Sequence, residues 1–206
     1  MNTLPARRAL LLVLGVAAVA LSACGSKDDD RIADLEGRVD RLEAAAKVSA
    51  SASPTPVGKT TTYKEFGFSL PVPEGVEVKS AGLGTAKASK DEGQLTMSAG
   101  GVTMALIWTK QTIAPKDAVQ GALQVLVSAQ PALTFRPLSE GDMKVDNRTA
   151  AYGAFGAYDK QQALSSVGVI GAWSCGGGTF SITVVGANQA AVESSYTGFT
   201  DGFRCA

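Results

Sequence analysis

Few groups of side chains in this sequence are placed so as to suggest covalent or acid–base chemistry. They are Cys24, Cys175 and Cys205, the triplet Lys90-Asp91-Glu92, the acids Glu140, Asp142 and Asp146, and the serine pairs Ser165-Ser166 and Ser194-Ser195. Histidine is absent. Its absence excludes every His-dependent triad or dyad and removes the commonest transition-metal ligand. The serines lack the setting of a nucleophile elbow, a sharp strand-to-helix turn that exposes a hydroxyl. The three acids could offer oxygens to a calcium ion, but they match no calcium-loop spacing and read as a polar hairpin. Lys90-Asp91-Glu92 reads as a solvated turn. Gly176-Gly177-Gly178 lacks the Lys-Ser/Thr that follows a phosphate-binding loop and lies between two strand-like runs, so it reads as a hairpin reversal. Trp108 and Trp173 read as core or interface aromatics rather than a cofactor cage. No catalytic residue, metal site or cofactor is assigned, and the chain is expected not to be an enzyme.

Of the cysteines, the first is set apart by its neighbours. Arg7-Arg8, an apolar run from Ala9 to Ala20 and small residues ahead of Cys24 have the layout of a secretory signal. An uncleaved membrane-spanning helix would need ~20 apolar residues, more than this run supplies. Leu21-Ser22-Ala23-Cys24 resembles the lipobox of bacterial lipoproteins. The resemblance implies that residues 1–23 are a signal peptide and that Cys24 is the lipid-attachment site. It also implies acyl chains of the palmitate type and a lipid-anchored place in the cell envelope. Two or more such chains, at ~0.8 kcal/mol per buried methylene, anchor stably where one would be marginal. Gly25, not aspartate, follows Cys24; this resembles a lipoprotein sorting pattern, and in a Gram-negative host the resemblance implies the outer membrane.

Removal of residues 1–23 leaves 183, enough for one ordinary domain with extensions. It also takes Arg7 and Arg8 from the 19 basic residues, leaving 17 against 19 acidic ones, a net charge of −2. With no long basic run, that balance argues against nucleic-acid binding. Once Cys24 is lipidated, Cys175 and Cys205 remain as an even pair in an oxidising compartment, and the expectation is a disulfide between them.

Along the exported chain, residues 24–30 form a polar tether whose Asp28-Asp29-Asp30 cluster can cap a following helix. In residues 31–46, Ile32, Leu35, Val39 and Leu42 recur at heptad a and d positions. Arg31 and Arg38 then fall at g, and Glu36 and Glu43 at e. That charge pattern matches only between parallel copies, and β-branched a with leucine d favours two strands over three. A homodimer, or a trimer, through a short coiled coil is expected; the other reading is an amphipathic helix lying on the body or the bilayer. Residues 47–60, rich in Ser, Ala and Pro, read as a flexible linker.

Residues 61–206 carry the pattern of a globular body. Tyr63, Phe66, Phe68 and Leu70 open a strand region that Pro71-Val72-Pro73-Glu74-Gly75 is expected to break. Val102 to Thr109, apolar on both faces, predicts a central strand covered on each side. Pro115 opens a helix to about Gln130 with Val119, Ala122, Leu123, Leu126 and Val127 on one face, and Pro131 stops it. Strands are predicted near 150–158, 163–174 and 179–185, with Asp146-Asn147 as a turn before the first. A last helix, capped by Asn188, carries Val192, Tyr196, Phe199 and Phe203 and is expected to end at Cys205.

Helices separated by antiparallel strands imply an α+β class. The segment Tyr63-Lys64-Glu65-Phe66-Gly67-Phe68-Ser69-Leu70-Pro71-Val72-Pro73-Glu74-Gly75, the proline-bearing helix after a long strand, and the closing strand and helix with Tyr196 and Phe199 resemble the PsbP-like fold. Lipoproteins of the LpqN and DcrB type share it. The resemblance implies an αβα sandwich with a largely antiparallel sheet that binds partners without catalysis. The leading reading is an envelope lipoprotein presenting this body to an unidentified envelope protein. The alternative is a carrier of an apolar or lipid ligand between helix and sheet; a hydrolase is disfavoured by the missing histidine.

Overall fold

The computed structural model describes residues 59–84 and 87–205. The signal segment, the tether, Cys24, the stripe Ile32, Leu35, Val39 and Leu42, and nearly all of the linker lie outside the described residues.

Period-two alternation of apolar and polar residues builds most of the body. Seven strands form one sheet in the order β3 (Lys79–Ala81), β4 (Glu92–Ala99), β5 (Val102–Thr109), β9 (Gly178–Gly186), β8 (Leu164–Cys175), β7 (Arg148–Tyr158) and β6 (Thr134–Val145). Three more form a second sheet in the order β1 (Thr60–Glu65), β2 (Phe68–Pro73) and β10 (Arg204–Cys205). Every pairing is antiparallel. Two tight reversals set the long hairpins. Asp146 and Asn147 take φ of 50° and 61°, and Gly176 and Gly177 take 59° and 85°, the left-handed pair a two-residue hairpin turn requires.

Helix α1 (Pro115–Ala129) starts with proline at its first position, where the missing N–H has no intrahelical partner to lose. Helix α2 (Gln189–Gly202) is capped by Asn188, whose side chain accepts the Ala191 N–H at 3.0 Å. The helices lie on opposite faces of the large sheet, as the glycines that receive them show. Val119 of α1 meets the Cβ position of Gly153, and Tyr196 of α2 meets that of Gly171. Gly153 pairs with Ile170, the chain neighbour of Gly171, so the two contacts fall on opposite sides of the pleat. The three-stranded sheet shares the α2 side, where Phe68 stands against Trp108, Phe180 and Phe203. The result is an α+β sandwich whose main core lies between the large sheet and the α2 layer.

Four expectations are corrected. First, β2 runs through Pro71 to Pro73 instead of breaking there, and the chain turns at Glu74-Gly75. The Glu74 N–H bonds the Lys59 carbonyl at 2.8 Å, so the nitrogens of Pro71 and Pro73 face the other edge. There β10 pairs only with Phe68 and Ser69, and the prolines lose no ladder bond. Second, β5 is covered on one face only. Val102, Met104, Leu106 and Trp108 are buried, whereas Ile107 on the other face is 40% exposed because α1 packs over β7, β8 and β9 instead. Third, Val127 does not share the inward face of α1: it is 45% exposed, while Val119, Ala122, Leu123 and Leu126 are half-buried. Fourth, α2 ends at Gly202. Phe203 caps it, and Cys205 belongs to β10.

Candidate functional site

The residues singled out for chemistry do not converge. Asp142 forms an ion pair with Lys116 of α1 at 3.3 Å, while Asp146, in the β6–β7 turn, accepts the Cys205 N–H at 3.1 Å. Glu140 is exposed on β6. Asp91 pairs with Lys110 at 3.2 Å in the solvated turn before β4. Among the described residues no three His, Cys, Asp or Glu side chains gather as a metal set would. Ser165 and Ser166 open β8, and Ser194 and Ser195 lie in α2.

The two tryptophans are in the core, 1% and 0% exposed. Trp108 donates its indole N–H to the Ser89 carbonyl at 2.9 Å, and its ring fills the place of a side chain at Gly93. Trp173 lies against Phe180 and Phe203, with its indole N–H unpartnered. Cys175 and Cys205 are joined by a disulfide, their Cα atoms 5.8 Å apart. It ties the end of β8 to the strand after α2 and thereby fastens the small sheet to the large one.

A surface feature that sequence reasoning missed lies at the far end of the α2 face. A β-bulge in β6 between Pro137 and Ser139 leaves Leu138 without a partner on β7. Leu138 is 52% exposed and borders a cleft of about 60 Å³ floored by Ala154, Val167 and Val169. Val192, Gln189 and Glu193 from the start of α2 form its other wall. On the same face, Leu164, 54% exposed, leans over Gly156 beside Tyr158. Arg136 sits over the Tyr158 ring, 4.6 Å from its centre, and donates to Gln162. Pro137 inside a strand-like run was the available sequence mark of an edge or a bulge.

Two tyrosines have hydroxyl pKa values raised above the usual 10. Burial is the larger cause for Tyr196, with the charge of Tyr152 second. For Tyr63 burial leads, followed by the hydrogen bond it donates to Glu65 at 2.7 Å and the charge of that carboxylate. Both hydroxyls are therefore proton holders at neutral pH and offer no base.

No protein-family model matches the sequence, and no curated protein does. Solved structures do match in shape. One is the cyanobacterial PsbP (CyanoP) of Synechocystis sp. PCC 6803, 10% identical, covering 76% of this chain and 98% of that one with a TM-score of 0.56. Another is the Ran-binding protein Mog1p of Saccharomyces cerevisiae, 10% identical, covering 72% of this chain and 96% of that one with a TM-score of 0.51. The body has the PsbP-like fold.

Proposed function

We propose that this chain is an envelope lipoprotein, held to its membrane by acyl chains on Cys24, whose PsbP-like body binds another envelope protein and performs no catalysis. The observation that carries the reading is the pair Leu138 and Leu164, each more than half exposed on one face, with Leu138 bordering a small cleft. A cleft of about 60 Å³ holds a side chain or a water or two, and is far below the ~300–1,000 Å³ of a small-ligand pocket. Exposed apolar side chains around such a cleft suit a protein surface better than a carried lipid. Fold does not fix function; that the yeast neighbour is named a Ran-binding protein shows only that one body of this shape is named for binding a protein.

Residues 31–46 add a self-association stalk to this reading. Confinement to a membrane raises the effective concentration of a weak two-heptad zipper. Reversing Glu36 and Glu43 to lysine is expected to weaken crosslinking between membrane-held copies, and reversing Arg31 and Arg38 to glutamate as well is expected to restore it. Crosslinking that ignores both changes removes the zipper.

The main test is crosslinking and capture from native membranes with wild type, Cys24→Ala and Leu138→Asp/Leu164→Asp. The expected result is one specific partner, lost with the leucine pair while the body stays folded. The Cys24 variant is expected to leave the detergent phase; unchanged partitioning overturns the anchor. A partner captured equally well by the aspartate variant overturns the surface.

A further inference from the structure

Three methionines lie among the described residues, and only one of these is outside the buried core. Met97 and Met104 are 4% and 5% exposed in the core, whereas Met143 is partly exposed on the outermost strand β6. The Tyr196 hydroxyl donates a hydrogen bond to the Met143 sulfur at 3.0 Å, linking α2 to β6. Tyr196 itself has little freedom, because its ring and hydroxyl fill the place of a side chain at Gly171.

We infer that Met143 is a site of methionine oxidation whose product is set to a single sulfoxide epimer by Tyr196. A thioether sulfur carries two lone pairs, and oxidation of one or the other gives mirror-related configurations at sulfur. The Tyr196 O–H engages one of them. A peroxide that reaches the partly exposed Met143 side chain is left the other. That lone pair attacks one peroxide oxygen, an S–O bond forms as the O–O bond breaks, and the departing hydroxide takes the proton left on the sulfur-bound oxygen, giving the sulfoxide and water. Sulfur loses two electrons and the peroxide gains them, so no further reductant or oxidant is needed. The sulfoxide turns a flexible apolar side chain into a polar one at the contact between α2 and the edge strand. Separate reductases repair the two epimers, so a fixed epimer also fixes which repair chemistry can act.

The test treats the folded, purified full chain with hydrogen peroxide and follows each methionine by peptide mass. The oxidised digest is then exposed separately to the two epimer-specific sulfoxide reductases. Expected is a gain of one oxygen at Met143 well ahead of Met97 and Met104, with about nine-tenths of it removed by one reductase and little by the other. The denatured chain is expected to give both epimers in similar amounts. Tyr196→Phe, which keeps the ring and drops the hydroxyl, is expected to give a mixture. Oxidation of Met143 no faster than Met97 and Met104, or equal epimers in the folded wild type, overturns the inference. Selectivity that survives in Tyr196→Phe overturns the role of the hydroxyl. Should that variant not fold, the wild-type epimer ratio against the denatured control still decides.

Discussion

The carboxylate of Asp146 accepts the backbone N–H of Cys205 at 3.1 Å, joining the β6–β7 turn to a strand nearly sixty residues later. The same carboxylate lies 4.0 Å from Arg204 and is only 23% exposed. Asp146 thus does two things at once. It adopts the left-handed φ of 50° that the turn requires, and it fills a donor on β10. Asp146→Ala loses both and is expected to destabilise the body by about 1–2 kcal/mol. Asp146→Asn keeps an acceptor oxygen and tolerance of that φ, and is expected to stay within about 0.5 kcal/mol of wild type. Denaturant midpoints of the two variants check the ordering; equal losses would show that the carboxylate charge, and not the acceptor, holds the strand.

The disulfide holds the same strand. It closes a separation of 30 residues, for which chain entropy predicts a loss of about 3–4 kcal/mol on removal. Cys175→Ser/Cys205→Ser is expected to show that loss in urea, and the exported wild type is expected to weigh two hydrogens less than its reduced form. Two free thiols in exported protein would contradict the pairing.

Phe66 holds φ at 52°, where a bulky residue is rarely found, in the turn between β1 and β2. Its ring stacks on Trp108, centroids 5.2 Å apart. The turn and the stacking pull in opposite directions on stability, and two substitutions separate them. Phe66→Ala loses the ring and keeps the strained backbone; Phe66→Gly loses the ring and relieves it. The glycine variant is expected to be the more stable by about 1 kcal/mol. An alanine variant as stable as the glycine one would mean that the turn is not strained.

Local rules carried much of this fold, and the exceptions share a cause. Pro115, Asp146-Asn147 and the triple glycine act through their own backbones and Asn188 through a side-chain bond to an amide three residues on, and each stands where its chemistry predicts. Pro71 and Pro73 misled because proline breaks a strand only where the ladder needs its N–H, and that depends on a two-residue strand near the other end of the body. Val127 and Ile107 misled because an apolar side chain shows no preference between faces until the position of α1 is known. The cleft beside Leu138 and the contact between Tyr196 and Met143 join residues far apart in sequence, and neither leaves a local pattern.

The raised pKa of Tyr196 gives the fold an alkaline limit. The unfolded tyrosine releases its proton near pH 10, while in the folded protein burial, and secondarily the charge of Tyr152, keep the proton on. Below pH 10 both states are protonated, and this group's contribution to stability does not change with pH. Above pH 10 the unfolded state binds fewer protons than the folded one, so stability falls as pH rises, by up to about 1.4 kcal/mol per pH unit. Tyr63 adds the same sign more weakly, since it is only half-buried and screened by solvent. Tyr196→Phe cannot ionise. Its denaturant stability is expected to lie slightly below wild type at pH 8, from the lost hydrogen bond to Met143, and to decline less steeply between pH 10 and 11.5. Lysine titration acts on both proteins alike, so the difference between the two curves isolates the tyrosine. Parallel curves above pH 10 would show that the Tyr196 hydroxyl ionises as easily in the folded protein as in the unfolded chain.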